Sequence, residues 1–476
     1  MMRRIALCLL FLGSLSCSKE STPTYTLSVQ ATPADRGQVK VSSDTFEANT
    51  PLTITAQATE GNQFSHWSGD ASGSTNPLLV SANDNLSITA HFVPSLQTEV
   101  EQFNGEKVHD GYVFAIQNGS TQTHLLNKSG EKIHTWTFAS KLGNDIEWLP
   151  NGHLLGIFKP EGDLPFSFGG YGGILREFDS NQNLVWEYEQ ADADGLLHHD
   201  LLKLPNGNVL SMIWETVDTA TAQAAGANVT HPIYPEKIVE INPGTNAIVW
   251  QWRAMDHLVQ NHNPEAANYG IPSENIQKID INHALRDDGD IMHANGLAYD
   301  KEKDLIYMSV NFYSEVWVID HSKNTETTAG NAGDLVYRFG NPAAFGHTEA
   351  PRLFNNNHHP HLIPETGTIM LYNNGSDVEQ STALELKLPD SFSLTEGPYT
   401  PPEIVWSYTD SELFFGKISG AVRLSNGNTL ICEGDFGYWE VTPEGEVVWK
   451  YGSETNVWRG YGIEANDPRL NLLPLN

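Results

Sequence analysis

Positive charge is scarce in this sequence. Its 476 residues carry 27 lysines and arginines against 59 aspartates and glutamates, a formal net charge of −32. That balance argues against nucleic acid as a partner, because a phosphate backbone needs a basic face. The acidity reads as a solvated surface, and an anionic substrate would need a local positive patch against it. Cysteine is scarcer: with residues 1–16 removed, only Cys17 and Cys432 remain. No disulfide framework is implied, so stability must come from the core. The apolar run Ile5 to Leu12 is too short to span a bilayer as a helix. What is abundant is turn and ring chemistry. Aromatics make up 10% of the chain, with 40 glycines and 25 prolines, a composition that points to an all-β protein.

The N-terminus reads as a targeting segment. Met1 to Arg4 is its charged part, and small residues follow Leu12 and end at Ser16-Cys17. This resembles a bacterial lipoprotein cleavage site, with a plain secretory signal as the alternative. The resemblance implies a signal peptide over 1–16, lipidation of Cys17 and a tether over 17–24. The chain is then expected to be exported and lipid-anchored in the periplasm, outer membrane or cell surface.

Residues 25–94 alternate apolar and polar residues, as in Tyr25–Val29, Leu52–Ala56 and Leu86–Phe92. Period two predicts strands. This module resembles the divergent internalin-B-type repeat, with His66 structural. A linker over 95–107 follows. From 108 to 476 one hairpin recurs, an apolar strand ending in a polar residue and then a strand with a central aromatic. Examples are Leu175–Asp179 with Leu184–Tyr188, and Ile238–Asn242 with Ile248–Trp252. A second hairpin precedes most of these, with turns such as Pro150-Asn151-Gly152, Pro205-Asn206-Gly207 and Ser425-Asn426-Gly427. Two hairpins make a four-stranded sheet, and about six such sheets make a six-bladed β-propeller. The first blade has Gly111–Ile116 in place of a Pro-Asn-Gly hairpin, which makes the C-terminal tail the candidate for closing the ring. Long loops are expected at 215–235 and 253–290.

The run His358-His359-Pro360-His361 concentrates imidazoles, groups that bind metals, act as bases or nucleophiles, or hold anions. Counting back about seven residues from each first-hairpin turn reaches Asn144, His199, Asn295, His358 and Ser419. In a propeller the first strand of each blade lines the central channel, so these positions converge. His293 shares the strand face of Asn295 by period two. His198-His199-Asp200, Met292-His293-Ala294-Asn295, the His358 run before Tyr372-Asn373-Asn374-Gly375, and Gly420–Ile431 resemble bacterial PAPS-independent arylsulfotransferases. The resemblance implies transfer of a sulfuryl group from an aryl sulfate donor to a phenol acceptor through a sulfohistidine, with no cofactor. It makes His358 the nucleophile and His359 its nearest rival. A neutral imidazole can attack sulfur and later leave. His199 and Asn295 would donate to sulfate oxygens, and His293 would move the phenolic proton. Asn311 stands where many relatives carry a sulfate-holding arginine, and asparagine offers no charged fork. Arg423, four residues after Ser419, is a candidate replacement.

Two rival readings remain open on the residues alone. Three histidines around an axis, His199, His293 and His358 or His361, suit zinc or copper, although the asparagines are poor metal ligands. A non-catalytic propeller that captures a surface ligand or glycan is the other. Asp287-Asp288-Gly289-Asp290 lacks the spaced glutamate of a calcium loop and reads as a polar entry to the His293 strand.

Overall fold

The computed structural model describes residues 22–395, 399–452 and 456–473. The expected signal peptide and Cys17 therefore lie outside the described residues. The chain divides into two compact units, Met1–Leu96 and Gln97–Asn476.

The smaller unit has two sheets. One is four-stranded and includes Thr24–Thr32 paired in parallel with Leu86–Pro94, and the other is three-stranded and centred on Leu52–Ala58. Alternation buries one face of each strand, so Leu27, Ile54, Trp67, Ile88 and Phe92 share one core. The Trp67 indole N–H donates to the Thr75 carbonyl at 3.0 Å, satisfying the polar end of a buried ring. His66 is exposed and stacks on His91 with ring centroids 4.2 Å apart.

In the larger unit the described strands form six antiparallel meander sheets. Their inner strands are Leu142–Trp148, Gly195–Lys203, Ala294–Asp300, Asn357–Ile363, Gly420–Arg423 and Val457–Glu464. Each inner strand neighbours the next, and Val457–Glu464 returns to Leu142–Trp148, closing a cycle. The all-β propeller expected from the hairpin repeat is therefore present. Closure is by the C-terminal tail: Val457–Glu464 pairs with Gly111–Gln117 as the inner strand of the first sheet. At the other edge, Val100–Phe103 adds a fifth strand outside Val447–Gly452, covering an otherwise open edge.

The recurrent aromatic of each outer strand ties neighbouring sheets together. The indole N–H groups of Trp186, Trp250, Trp406 and Trp449 donate to Asn246 Oδ1, Lys323 O, Pro443 O and Lys128 O at 2.7–2.9 Å, each in the next sheet around the ring. Tyr337 makes the matching link to Thr400 O at 2.7 Å. Apolar layers fill the gaps, as where Leu155 and Ile157 meet Leu197, Leu201 and Ile213. The connecting segments are largely irregular, with a short α-helix at Thr219–Ala224, single 3-10 turns such as Ala254–Asp256 and Pro272–Glu274, and a two-residue parallel pair, Leu258–Val259 with Ile279–Asp280.

Candidate functional site

The inner strands do not run straight through the ring. Pairing registers slip between His198 and Leu201, between Ala294 and Gly296, and between His358 and His361. Each slip is a β-bulge, which bends a strand and re-aims a side chain. His199, His293 and His359 have φ of 54°, 52° and 55°. Histidine tolerates this left-handed region better than most residues with a Cβ. The bulges turn His199, His293 and His358 toward one cleft of about 510 Å³, which Phe168, Gly170, Asn311, Phe312 and Lys417 also line. Gly170 is required there: its φ is +85°, and a Cβ would lie 2.0 Å from His199 Nε2.

One nitrogen of each cleft histidine is committed to the protein. The Asn374 amide gives its N–H groups to the Phe415 and Ile418 carbonyls at 2.8 and 2.9 Å. That fixes Oδ1 toward His358, whose Nδ1 lies 2.6 Å away and must donate. The remaining nitrogen, Nε2, therefore carries the lone pair. Burial pushes the His358 imidazole down to about 3, against the opposing pull of Asn374, with His293 and Arg459 lowering it further. His358 is neutral at pH 7 in consequence. His293 Nδ1 is bonded to Asp290 Oδ2, and its ring stacks on Phe312 at 4.7 Å. His199 Nδ1 meets His198 Nδ1 at 2.8 Å, so one ring donates to the other. Burial, with His293 next, holds His199 well below the ordinary imidazole value. Behind it, His198 stacks on Trp214 at 3.9 Å, and its Nε2 is 2.9 Å from Glu236 Oε2, close but not aligned as a hydrogen bond.

Four residues from the sequence reading sit elsewhere or act otherwise. Asn295 does not line the cleft. Its amide donates to the Asn357 carbonyl at 2.8 Å, where Ser309 Oγ and Asn311 Nδ2 also donate at 3.2 and 3.3 Å. Three donors on one carbonyl pin the peptide just before His358, so Asn295 positions the strand. His359 and His361 line a separate cavity of about 780 Å³ at the far ends of the inner strands. Arg423 is paired with Glu385, and its guanidinium lies 4.6 Å from the Trp406 ring centroid, away from the cleft. Asn311 lines the cleft and accepts from Asn356 Nδ2 at 3.0 Å. Among the described residues, no group of three or more His, Cys, Asp or Glu side chains is arranged to hold a metal ion.

Sequence reasoning passed over several residues. Asn374 sits inside the quoted Tyr372–Gly375 stretch, and Asp290 precedes His293 by three. Both were visible as residues but not as partners. Arg459 gave no register signal, because its strand comes from the tail and follows no Pro-Asn-Gly turn. It lies under the cleft at 2% exposure. It bonds Asp145, and Asp200 at 3.0 Å, and donates to the Asn295 carbonyl at 3.2 Å.

The central cleft of this propeller thus presents the oriented, neutral imidazole of His358 beside the His293–Asp290 pair. The profile of the arylsulfotransferase (ASST) family matches residues 98–457, and the chain belongs to that family. Sulfuryl transfer between small aromatic sulfate esters and phenols is the chemistry the family implies. Residues 25–95 match the divergent InlB B-repeat domain. No curated protein matches the chain. Among solved structures, a putative 6-phosphogluconolactonase of Bacteroides fragilis is 10% identical, covering 76% of this chain and 100% of its own at TM-score 0.41. The Pseudomonas aeruginosa periplasmic gluconolactonase PpgL is 11% identical, with coverage of 74% and 99% at TM-score 0.37. Likenesses this weak carry no argument about this chain.

Proposed function

We propose that the cleft transfers a sulfuryl group from an aryl sulfate to a phenol through a sulfohistidine on His358. The supporting observation is the hydrogen bond from His358 Nδ1 to Asn374, which leaves Nε2 unprotonated on a neutral ring facing the cleft. In the first half-reaction the Nε2 lone pair forms a bond to sulfur, and the S–O bond to the aryl group breaks. The departing phenolate takes a proton from His293, whose other nitrogen faces Asp290. In the second, the acceptor phenol gives its proton to His293 and its oxygen bonds sulfur as the S–N bond breaks. Splitting one displacement into two is the gain from a nucleophile that is also a good leaving group. His199 donates to the sulfate oxygens, and Phe168 and Phe312 supply aromatic walls for the phenyl ring. We read the N-terminal segment as an export signal with Cys17 as its lipid anchor. This reading fits an enzyme meeting small phenolic molecules outside the cytoplasm.

The test uses p-nitrophenyl sulfate as donor and phenol as acceptor. Nitrophenol release should rise with phenol, and donor alone should leave a sulfuryl mass on the peptide containing His358. Release indifferent to phenol, or full transfer by His358→Ala, overturns the proposal.

A further inference from the structure

We propose that Lys417 is the anion-binding cation of the cleft, and that its loop, Phe415–Ser419, couples binding of the sulfate ester to the orientation of His358. This deepens the transfer reading and rests on it.

The charges around the cleft isolate Lys417. Four charged side chains line it: Arg286, Asp288, Asp290 and Lys417. Asp290 is bonded to His293. Arg286 lies 3.4 Å from Asp288, and its guanidinium sits 4.4 Å from the Phe312 ring centroid. Arg459, deeper in the ring, has its charge met by Asp145 and Asp200. His199 and His358 are buried and contribute no charge at pH 7. The Lys417 side chain is exposed, and its ammonium has no hydrogen-bond or ion-pair partner among the described residues; only the Lys417 carbonyl is engaged, accepting from Ser419 Oγ at 3.3 Å. In a chain with a net charge of −32, it is the uncompensated positive charge at the cleft. An anionic donor meets it without breaking an existing pair.

The loop that carries Lys417 is strained. Ile418 has φ of 42° and Ser419 of 84°. A β-branched residue in the left-handed region is a genuine outlier, and such strain persists only where surroundings enforce it. The enforcing contacts are visible. The Phe415 amide donates to Ser381 Oγ at 3.2 Å, and Ser419 Oγ accepts from the Gly434 amide at 3.0 Å. Most importantly, the Phe415 and Ile418 carbonyls take both donors of Asn374. Lys417 lies between those two residues. An anion held by Lys417 therefore bears on the segment that fixes Asn374, and through Asn374 fixes the tautomer of His358.

The full chain is assayed with both substrates varied. Lys417→Met should raise the donor KM about 10- to 100-fold, the range for losing a hydrogen bond to a charged group. The phenol KM should stay within about 2-fold, because a neutral phenol has no charge for Lys417 to meet. Lys417→Arg should restore the donor KM. Ile418→Gly removes the strain and should lower kcat about 5-fold or more with a near-normal donor KM. An unchanged donor KM in Lys417→Met, or equal rises in both KM values, overturns the anion site. An unchanged kcat in Ile418→Gly overturns the coupling. Inorganic sulfate, followed by thermal shift, gives a readout without turnover. It should stabilise the wild-type chain and not Lys417→Met. If the wild type transfers nothing, the transfer reading fails, while the sulfate response still decides Lys417.

Discussion

His358 and His359 are consecutive in sequence, similarly buried, and face different cavities. His358 opens into the cleft of about 510 Å³ beside His199 and His293. His359 opens into the cavity of about 780 Å³ with His361, Glu147 and walls such as Trp148, Leu202, Leu297 and Leu362. Both rings are held neutral by desolvation. What differs is the second nitrogen. In the cleft, each Nδ1 is committed, His358 to Asn374, His293 to Asp290 and His199 to His198. In the other cavity, His359 Nδ1 is buried without a hydrogen bond, against Gly420, where a Cβ would approach it to 2.4 Å. Size favours the second cavity, although it holds two histidines against three in the first. Orientation favours the first, and a nucleophile needs orientation.

The sharpest way to break this contrast is to exchange the two roles. His358→Asn should cost at least about 10⁴-fold in transfer, as removal of a covalent nucleophile does. His359→Asn should keep activity within about 10-fold, because its ring touches no reacting atom. Steady-state rates of the two variants, with circular dichroism to show that both fold, make the check. Equal losses would mean that the register separating the two rings is wrong.

Register was the part of the site legible in the chain. Distances back from Asn151, Asn206, Glu302, Glu365 and Asn426 located the inner strands and picked out His199 and His358 without any coordinate. The same count placed Asn295 on the ring, but could not show that its amide would be spent on the Asn357 carbonyl. Period-two alternation also cannot foresee a bulge. The inserted residue leaves His358 opposite Tyr372 and His361 opposite Met370, so His361 keeps the same sheet face but lies farther along the inner strand, in the other cavity with His359. Arg459 was hidden for another reason. Propeller closure brings together strands from opposite ends of the chain, and sequence spacing carries no information about such a pair. The hairpin repeat itself, with its alternating apolar residues and Asn-Gly turns, made the propeller the most legible feature of all.

A smaller effect sharpens the contrast at one atom. Asn374→Ala leaves His358 in place but frees its Nδ1, so both tautomers become accessible and the attacking lone pair is lost part of the time. We expect kcat to fall about 10- to 100-fold, with donor and acceptor KM values little changed. Among the described residues none plays this part for His359, so no single change in the other cavity should produce a selective loss in kcat. A rise in donor KM with kcat intact would show that Asn374 serves binding instead.

The smallest expected effect concerns stability, and it reverses the roles of the two ends. Burial holds His359 well below its ordinary value of 6.5 in the folded chain. Above pH 6.5 the ring is neutral in both states and its contribution is complete. As pH falls below 6.5 the unfolded chain takes up a proton that the folded chain refuses, so the wild type loses stability. His359→Asn removes that proton uptake. The variant should be less stable than wild type at pH 7.5, because an asparagine packs poorly in that place. The gap should then close by up to about 1.4 kcal/mol per pH unit as pH is lowered from 6.5, one proton's worth. Urea unfolding at pH 7.5, 6.5, 5.5 and 4.5 measures it. Parallel curves for the two proteins would show that His359 is protonated as readily in the folded chain as in the unfolded one, and would remove burial as the trait it shares with His358.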